Sequence, residues 1–214
     1  MLRSEPWKWD QIAGQRWHEP DPMAYYLAAR WTAQGRRRFL DLGCGVGRHA
    51  LFFARQGFVI DAFDLSPSGI AALEESARGA GLAITARVGD MLSLPYPNGQ
   101  FDCLMAFHVI YHSDRAGTEK AITEIVRVLA PGGEAYITFN SRSNRTMSNP
   151  ANVRVDEYTC IKTDGSEANV PHYYVDAPEV RRLLSAFDLH LFEHREEFRG
   201  ENSSWHYYTL CSKP

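Results

Sequence analysis

Residues 39–47 read Phe-Leu-Asp-Leu-Gly-Cys-Gly-Val-Gly and run straight into Arg48-His49-Ala50-Leu51-Phe52-Phe53-Ala54, which has the composition of a helix. A short apolar run, an acid, and glycines at alternate positions ahead of a helix specify a strand that enters a tight turn against a ligand. Glycine adopts positive φ and has no Cβ, so Gly43, Gly45 and Gly47 let the backbone bend sharply and approach that ligand closely. In open α/β sheets such turns carry nucleotides. The acid narrows the choice. A pyrophosphate needs free amides at the helix N-terminus and the spacing Gly-x-Gly-x-x-Gly. Here the third glycine comes one residue early, Arg48 stands where that pattern wants glycine, and Asp41 would repel phosphate. A carboxylate beside the turn suits a ligand with a cationic end, such as an amino-acid ammonium.

Downstream the chain alternates strand and helix, the pattern of a parallel sheet covered on both faces. Strands are expected at 58–63, 82–88, 101–107 and 134–139. Helices are expected at 68–80, behind Pro67, and at 119–129, stopped by Pro131-Gly132-Gly133. A helix at 178–187 and strands at 189–198 and 205–211, joined by the turn Gly200-Glu201-Asn202-Ser203, close the chain as a hairpin. The expected fold is therefore α/β: a Rossmann-like, doubly wound, seven-stranded mixed sheet, five strands parallel and a closing antiparallel hairpin, with helices on both faces. Two regions stand outside this repeat. Residues 1–35 hold Trp7, Trp9, Trp17 and Trp31 with Tyr25 and Tyr26, and are expected to form an N-terminal helical cap. Within the main domain, 36–214, the polar stretch 141–175 is expected to be a lid or substrate loop, because a loop that long in a compact domain usually binds something.

Composition excludes more than it selects. A net charge of -3 gives no electrostatic case for nucleic acid or an anionic membrane. Cys44, Cys103, Cys160 and Cys211 are scattered without a Cys-x-x-Cys pair, so neither a disulfide framework nor a metal site is expected. With no apolar run of membrane-spanning length and no secretory leader, a cytoplasmic protein is expected, as a monomer or homodimer.

Two further acids join Asp41 along one sheet edge. Asp64 follows Gly43 by 21 residues, the spacing at which a carboxylate at the end of the second strand reaches ribose hydroxyls. An ionised carboxylate accepts from both members of a vicinal diol. Ser66 is the better-placed cap for the next helix. Asp90 ends the third strand on the same edge, where it can accept from an exocyclic adenine amine while Met91 packs on the ring. Taken in order, Asp-Leu-Gly-Cys-Gly-Val-Gly-Arg at 41–48, Asp64-Leu65-Ser66, Gly89-Asp90-Met91, Phe101-Asp102-Cys103-Leu104 leading to Phe107-His108-Val109-Ile110-Tyr111-His112, and Arg127-Val128-Leu129-Ala130-Pro131-Gly132-Gly133 make the chain resemble a class I S-adenosylmethionine-dependent methyltransferase of the type 11/25 kind. Within that class it is similar to small-molecule enzymes such as the tellurite-resistance type. The Asn/Asp-Pro-Pro-aromatic tetrapeptide usual in nucleic-acid N-methyltransferases is replaced by Ala106-Phe107-His108-Val109.

The resemblance implies S-adenosyl-L-methionine as cofactor and a small-molecule acceptor, a thiol, amine, hydroxyl or metalloid. It implies that Asp41, Gly43, Cys44, Gly45, Gly47 and Arg48 surround the methionine part, that Asp64, Leu65 and Ser66 hold the ribose, that Asp90 and Met91 hold the adenine, and that Phe107 and His108 face the sulfonium. Proton removal, where the acceptor needs it, falls to histidine near neutral pH. His108, His112 and His172 are the candidates, with Tyr111 and Tyr173 as orienting partners and Pro171-His172-Tyr173-Tyr174 reaching in from the long loop. The tryptophan-rich front segment either packs as an amphipathic cap onto the sheet or closes over the cofactor with Tyr25 or Tyr26 facing it. Two other readings stand beside this one: an NAD(P)-dependent Rossmann oxidoreductase, and a non-catalytic module that binds S-adenosylmethionine for regulation.

Overall fold

A computed structural model describes residues 1–2, 4–9, 14, 17–200 and 202–214. Five parallel strands form the sheet centre: β1 (Arg38–Leu42), β2 (Val59–Asp64), β3 (Ile84–Val88), β4 (Phe101–Ala106) and β5 (Leu129–Ser141), in the order β3-β2-β1-β4-β5. The helices are α1 (Pro22–Ala33), α2 (Arg48–Arg55), α3 (Pro67–Gly79), α4 (Arg115–Val128) and α5 (Ala177–Leu183). Local chemistry sets their starts. Asp21, Ser66 and Asp176 accept backbone amides as N-caps of α1, α3 and α5, each with proline in the first two helical positions, where a missing N–H costs nothing. Asp114 caps α4 by accepting from the Gly117 amide at 2.9 Å, which starts that helix four residues before the expected 119.

Strand alternation sorts the core onto two faces. Leu40, Leu42, Leu104, Ala106, Ile137 and Phe139 pack under α4 and α5. Phe39, Cys103, Met105 and Tyr136 pack on the other face under α1, α2 and α3. α1 belongs to this second layer, with Trp31 fully buried and its indole N–H donating to Glu134 on β5 at 2.8 Å. Among the described residues the expected cap over 1–35 is thus α-helical across Pro22–Ala33, with Trp9 and Trp17 in 3-10 conformation, and α1 is part of the main core.

The closing hairpin is β9 (Asp188–Arg199) and β10 (Asn202–Ser212), with β10 antiparallel on β5. Within the expected turn, Glu201 lies outside the described residues. These seven strands match the expected architecture, and three short ones exceed it. The stretch expected to be a loop contains β6 (Val153–Arg154), β7 (Thr159–Ile161) and β8 (Pro171–Val175), an antiparallel meander. Its docking point is Asn140, which pairs with His206 of β10 on one edge and Tyr174 of β8 on the other. β4 pairs with β5 only as far as Ile137, so β8 takes the edge that β4 leaves.

Candidate functional site

A cavity of about 640 Å³ lies where the carboxyl ends of β1, β2, β3 and β4 meet the meander and the hairpin. The turn after β1 forms its floor. The amides of Gly43 and Cys44 donate to the Phe63 carbonyl at 2.7 and 3.2 Å, tying the turn to β2. Gly43, at φ 74°, lies so close to Val109 that a Cβ would fall 2.4 Å from its methyl carbon. Gly45, at φ 54°, is covered by Trp9, 2.5 Å from where a Cβ would stand. At the end of β2, the Asp64 carboxylate accepts from the Gly45 amide at Oδ2 and the Ser66 amide at Oδ1, both at 2.8 Å. Burial raises its pKa, and these amides pull it back toward the ionised form. Each oxygen retains a lone pair for a second donor. Cys44, Arg48, Leu65, Asp90, Met91, Phe107 and His108 also line the cavity, with the Arg48 guanidinium 5.1 Å from the Phe107 ring centre.

Three residues expected at the cofactor do other work. Asp41 is 1 % exposed, does not line the cavity, and accepts from the Ala50 amide of α2 at 2.9 Å. It shares a strand face with Phe39, which turns it under α2, and burial pushes its pKa up to about 7. Gly47 packs against α3, where a Cβ would fall 2.2 Å from Leu73 Cδ1. Ser66 is fully buried as the α3 cap.

Ser66 also anchors the front of the chain: its hydroxyl donates to the Trp7 carbonyl, and the Trp9 amide donates to Ser68 Oγ at 3.1 Å. At the other end, the Leu2 amide donates to Asp114 at 2.6 Å and the Leu2 carbonyl accepts from Ser113 Oγ at 2.8 Å. The front segment thus straps the cavity mouth from the start of α4 to the start of α3. Trp7, Trp9 and Trp17 line the cavity as a cluster, with ring centres 5.1 to 5.9 Å apart. Tyr25 and Tyr26, one of which would face the cofactor if the front segment closed over it, are instead 58 % and 53 % exposed on α1 and away from the cavity.

Opposite the glycine turn the wall is rich in imidazole. Five of the eight histidines line the cavity: His49, His108, His112, His172 and His206. His108 holds a left-handed backbone (φ 55°), its amide donating to Thr138 Oγ1 at 2.6 Å and its ring 4.4 Å from that of His206. A non-glycine residue in that region stores strain of a kind that gathers at functional sites. His49 Nε2 accepts from the Asp21 amide, and burial holds its pKa well below the usual value. Burial, with His172 adding to it, pulls His112 down to about 3, so this ring is neutral. Tyr111 also lines the wall, but Tyr173 does not: its hydroxyl donates to Glu179 of α5 at 2.6 Å. Alternation along β8 sends His172 and Tyr174 to the cavity and Tyr173 to the opposite face. The cavity wall also includes His49, His206, Glu167, Lys162 and Glu197, none of which the sequence motifs single out.

Residues 39–133 match the methyltransferase domain family. Norajmaline N-methyltransferase of Rauvolfia serpentina is 35% identical over 130 residues, which are 59% of this chain and 43% of that protein. The chain spans less than half the length of this relative and of a second, ajmaline N-methyltransferase from the same plant. An S-adenosylmethionine-dependent methyltransferase structure from Methanosarcina mazei superposes with a TM-score of 0.73 at 20% identity, covering 91% of this chain and 98% of its own. TehB from Haemophilus influenzae superposes with a TM-score of 0.66 at 15% identity, over 89% of this chain and 62% of its own. At these identities the structural likenesses establish the fold. Among the described residues no helix is long and apolar enough to cross a membrane.

Proposed function

We propose that this chain is a class I S-adenosylmethionine-dependent methyltransferase and that it transfers the cofactor's methyl group to a small-molecule nucleophile inside the cavity. The observation that carries this reading is the convergence of the glycine turn, Asp64, Asp90 with Met91, and Phe107 with His108 on one cavity. Its volume falls in the ~300–1,000 Å³ range of small-molecule sites.

When bound, the cofactor supplies an electrophilic methyl carbon on a sulfonium, open to in-line displacement. In this reading Asp64 accepts from the ribose diol through the lone pairs its two amide donors leave. Asp90, whose Oδ1 already accepts from the Leu92 amide at 2.9 Å, takes the adenine amine beside Met91. Phe107 and the three tryptophans exclude water from the reacting atoms, which strengthens the alignment on which a displacement depends. His108, with Tyr111, His112 and His172 further along the same wall, orients the acceptor and takes its proton where there is one to lose. The N-methylating relative places an amine among the acceptors to try first, beside thiols, hydroxyl compounds and metalloid oxyanions.

Calorimetry of the full chain with S-adenosylmethionine, S-adenosylhomocysteine and NAD tests the cofactor half. Binding of the first two and not the third is expected; the reverse order would sink the proposal. Mass spectrometry after incubating protein and cofactor with an acceptor panel tests the second half. A cofactor-binding chain that methylates nothing would support the regulatory alternative.

A further inference from the structure

The imidazole wall contains a cluster that alignment of a methyl donor does not require. His112 follows β4, Glu167 sits in a 3-10 turn of the meander, and His172 is the second residue of β8. One donor atom from each lies within 4.8 Å of the others. His112 is 8 % exposed and His172 1 % exposed, and His112 Nε2 has no hydrogen-bond partner among the described residues. His172 Nε2 is 3.2 Å from Glu167 Oε2. His172 Nδ1 is 2.9 Å from the Val170 carbonyl, which can only accept, so Nδ1 carries a proton and Nε2 is turned toward Glu167. Fixing a ring through a carbonyl on its far nitrogen is how proteins orient metal-ligating histidines. His112 Nε2, buried without a hydrogen-bond partner, and His172 Nε2, in ion-pair range of Glu167, converge on one carboxylate, where a metal cation can take the place of the proton that otherwise joins His172 to Glu167.

We propose that His112 Nε2, His172 Nε2 and the Glu167 carboxylate bind a divalent transition-metal ion on the acceptor side of the cavity. Two imidazole nitrogens and one carboxylate suit zinc, iron(II), cobalt(II) or nickel(II) in preference to magnesium or calcium, which favour oxygen donors. Three protein ligands leave positions open for a donor atom of a small molecule. In that role, which rests on the methyltransferase reading, the ion holds the acceptor against the wall formed by His108 and Tyr111. The sequence hides this site because its ligands come from distant segments and none is cysteine.

Lys162 sharpens the test. Its ammonium donates to Glu167 Oε2 and so competes with any cation for the carboxylate. The full chain, stripped with a chelator, is titrated with Co²⁺ and Zn²⁺ by calorimetry, and with Co²⁺ by visible absorption. One equivalent per chain is expected, with a ligand-field band for Co²⁺. His112→Ala, His172→Ala and Glu167→Gln each weaken binding by at least about tenfold. Lys162→Met strengthens it several-fold, which removal of a merely structural ion pair would not do. If either alanine variant fails to fold, the nearly isosteric Glu167→Gln carries the test. Absence of stoichiometric binding in the wild type overturns the proposal, as does binding that survives Glu167→Gln with His172→Ala. A loss in His206→Ala with full binding in His172→Ala would also overturn it, by moving the ion to the neighbouring trio of His108, Glu197 and His206. S-adenosylmethionine affinity, measured on the same variants, separates failure of the metal site from failure of the methyltransferase reading.

Discussion

One cavity has two walls built by opposite means. The wall proposed for the cofactor comes from strand ends within residues 41–108, where backbone geometry does most of the work: glycine φ angles, amides aimed at Asp64, close approaches to Val109 and Trp9. The wall proposed for the acceptor is assembled from side chains that follow β4 or come from the meander and β10, brought together only when β8 and β10 flank Asn140. The first wall is a local property of the chain and the second is a tertiary one. The first should therefore break through single backbone or capping changes, and the second through loss of individual side chains.

The largest effect expected is on the cofactor wall's foundation. An acid held near 7 in the fold but near 3.8 when unfolded stays protonated in the native state while the unfolded chain ionises. Its contribution to stability therefore falls as pH rises through that window, by roughly 2–4 kcal/mol, and levels off above it. Asp41→Asn keeps an acceptor for the Ala50 amide and removes this loss. The stability difference between variant and wild type, from urea melts at a series of pH values, should grow between about pH 4 and 7; a constant difference would break the assignment of Asp41 as a buried support.

Next comes Asp64→Ala. Losing charge-assisted contacts should weaken S-adenosylmethionine binding by about a hundredfold. Unchanged affinity by calorimetry, in a folded variant, would move the cofactor off this wall. Gly45→Ala is a smaller perturbation: a Cβ at φ 54° strains the backbone by about 1–2 kcal/mol and collides with Trp9. Affinity should fall by about tenfold, and Trp9→Ala should restore part of it. Strict additivity in that double-mutant cycle would show that the strap does not bear on the turn. The smallest effect belongs to Tyr173→Phe, expected to cost about 1 kcal/mol of stability through the Glu179 hydrogen bond and to leave cofactor binding untouched. A change in acceptor kinetics would contradict the division of β8 into a cavity side and a core side.

These contrasts explain what could be read from the sequence. The parallel order and the three acids at strand ends follow from alternation and turn chemistry, which act over a few residues. Period two also contained information that strand ends alone did not use. Asp41 shares the face of Phe39, so its burial under α2 was readable, as was the opposition of His172 and Tyr174 to Tyr173. Gly47 differs: its neighbour is Leu73 of another helix, a contact that no local pattern encodes. The meander escaped because β6 and β7 have two and three residues, too few to show periodicity. His108, His112 and His172 were legible as single residues, but the grouping of His112 with Glu167 and His172 escaped because those partners lie 55 and 60 residues away in the chain.

The strap has a practical corollary. Of the five tryptophans, Trp7, Trp9 and Trp17 line the cavity, while Trp31 is sealed in the core and Trp205 lies on β10 outside it. Three of the five indoles therefore stand at the mouth of the cavity. Occupancy of either wall should alter emission intensity or wavelength, so the unlabelled chain can report its ligands optically and in real time, with Trp31 as an internal reference that does not respond.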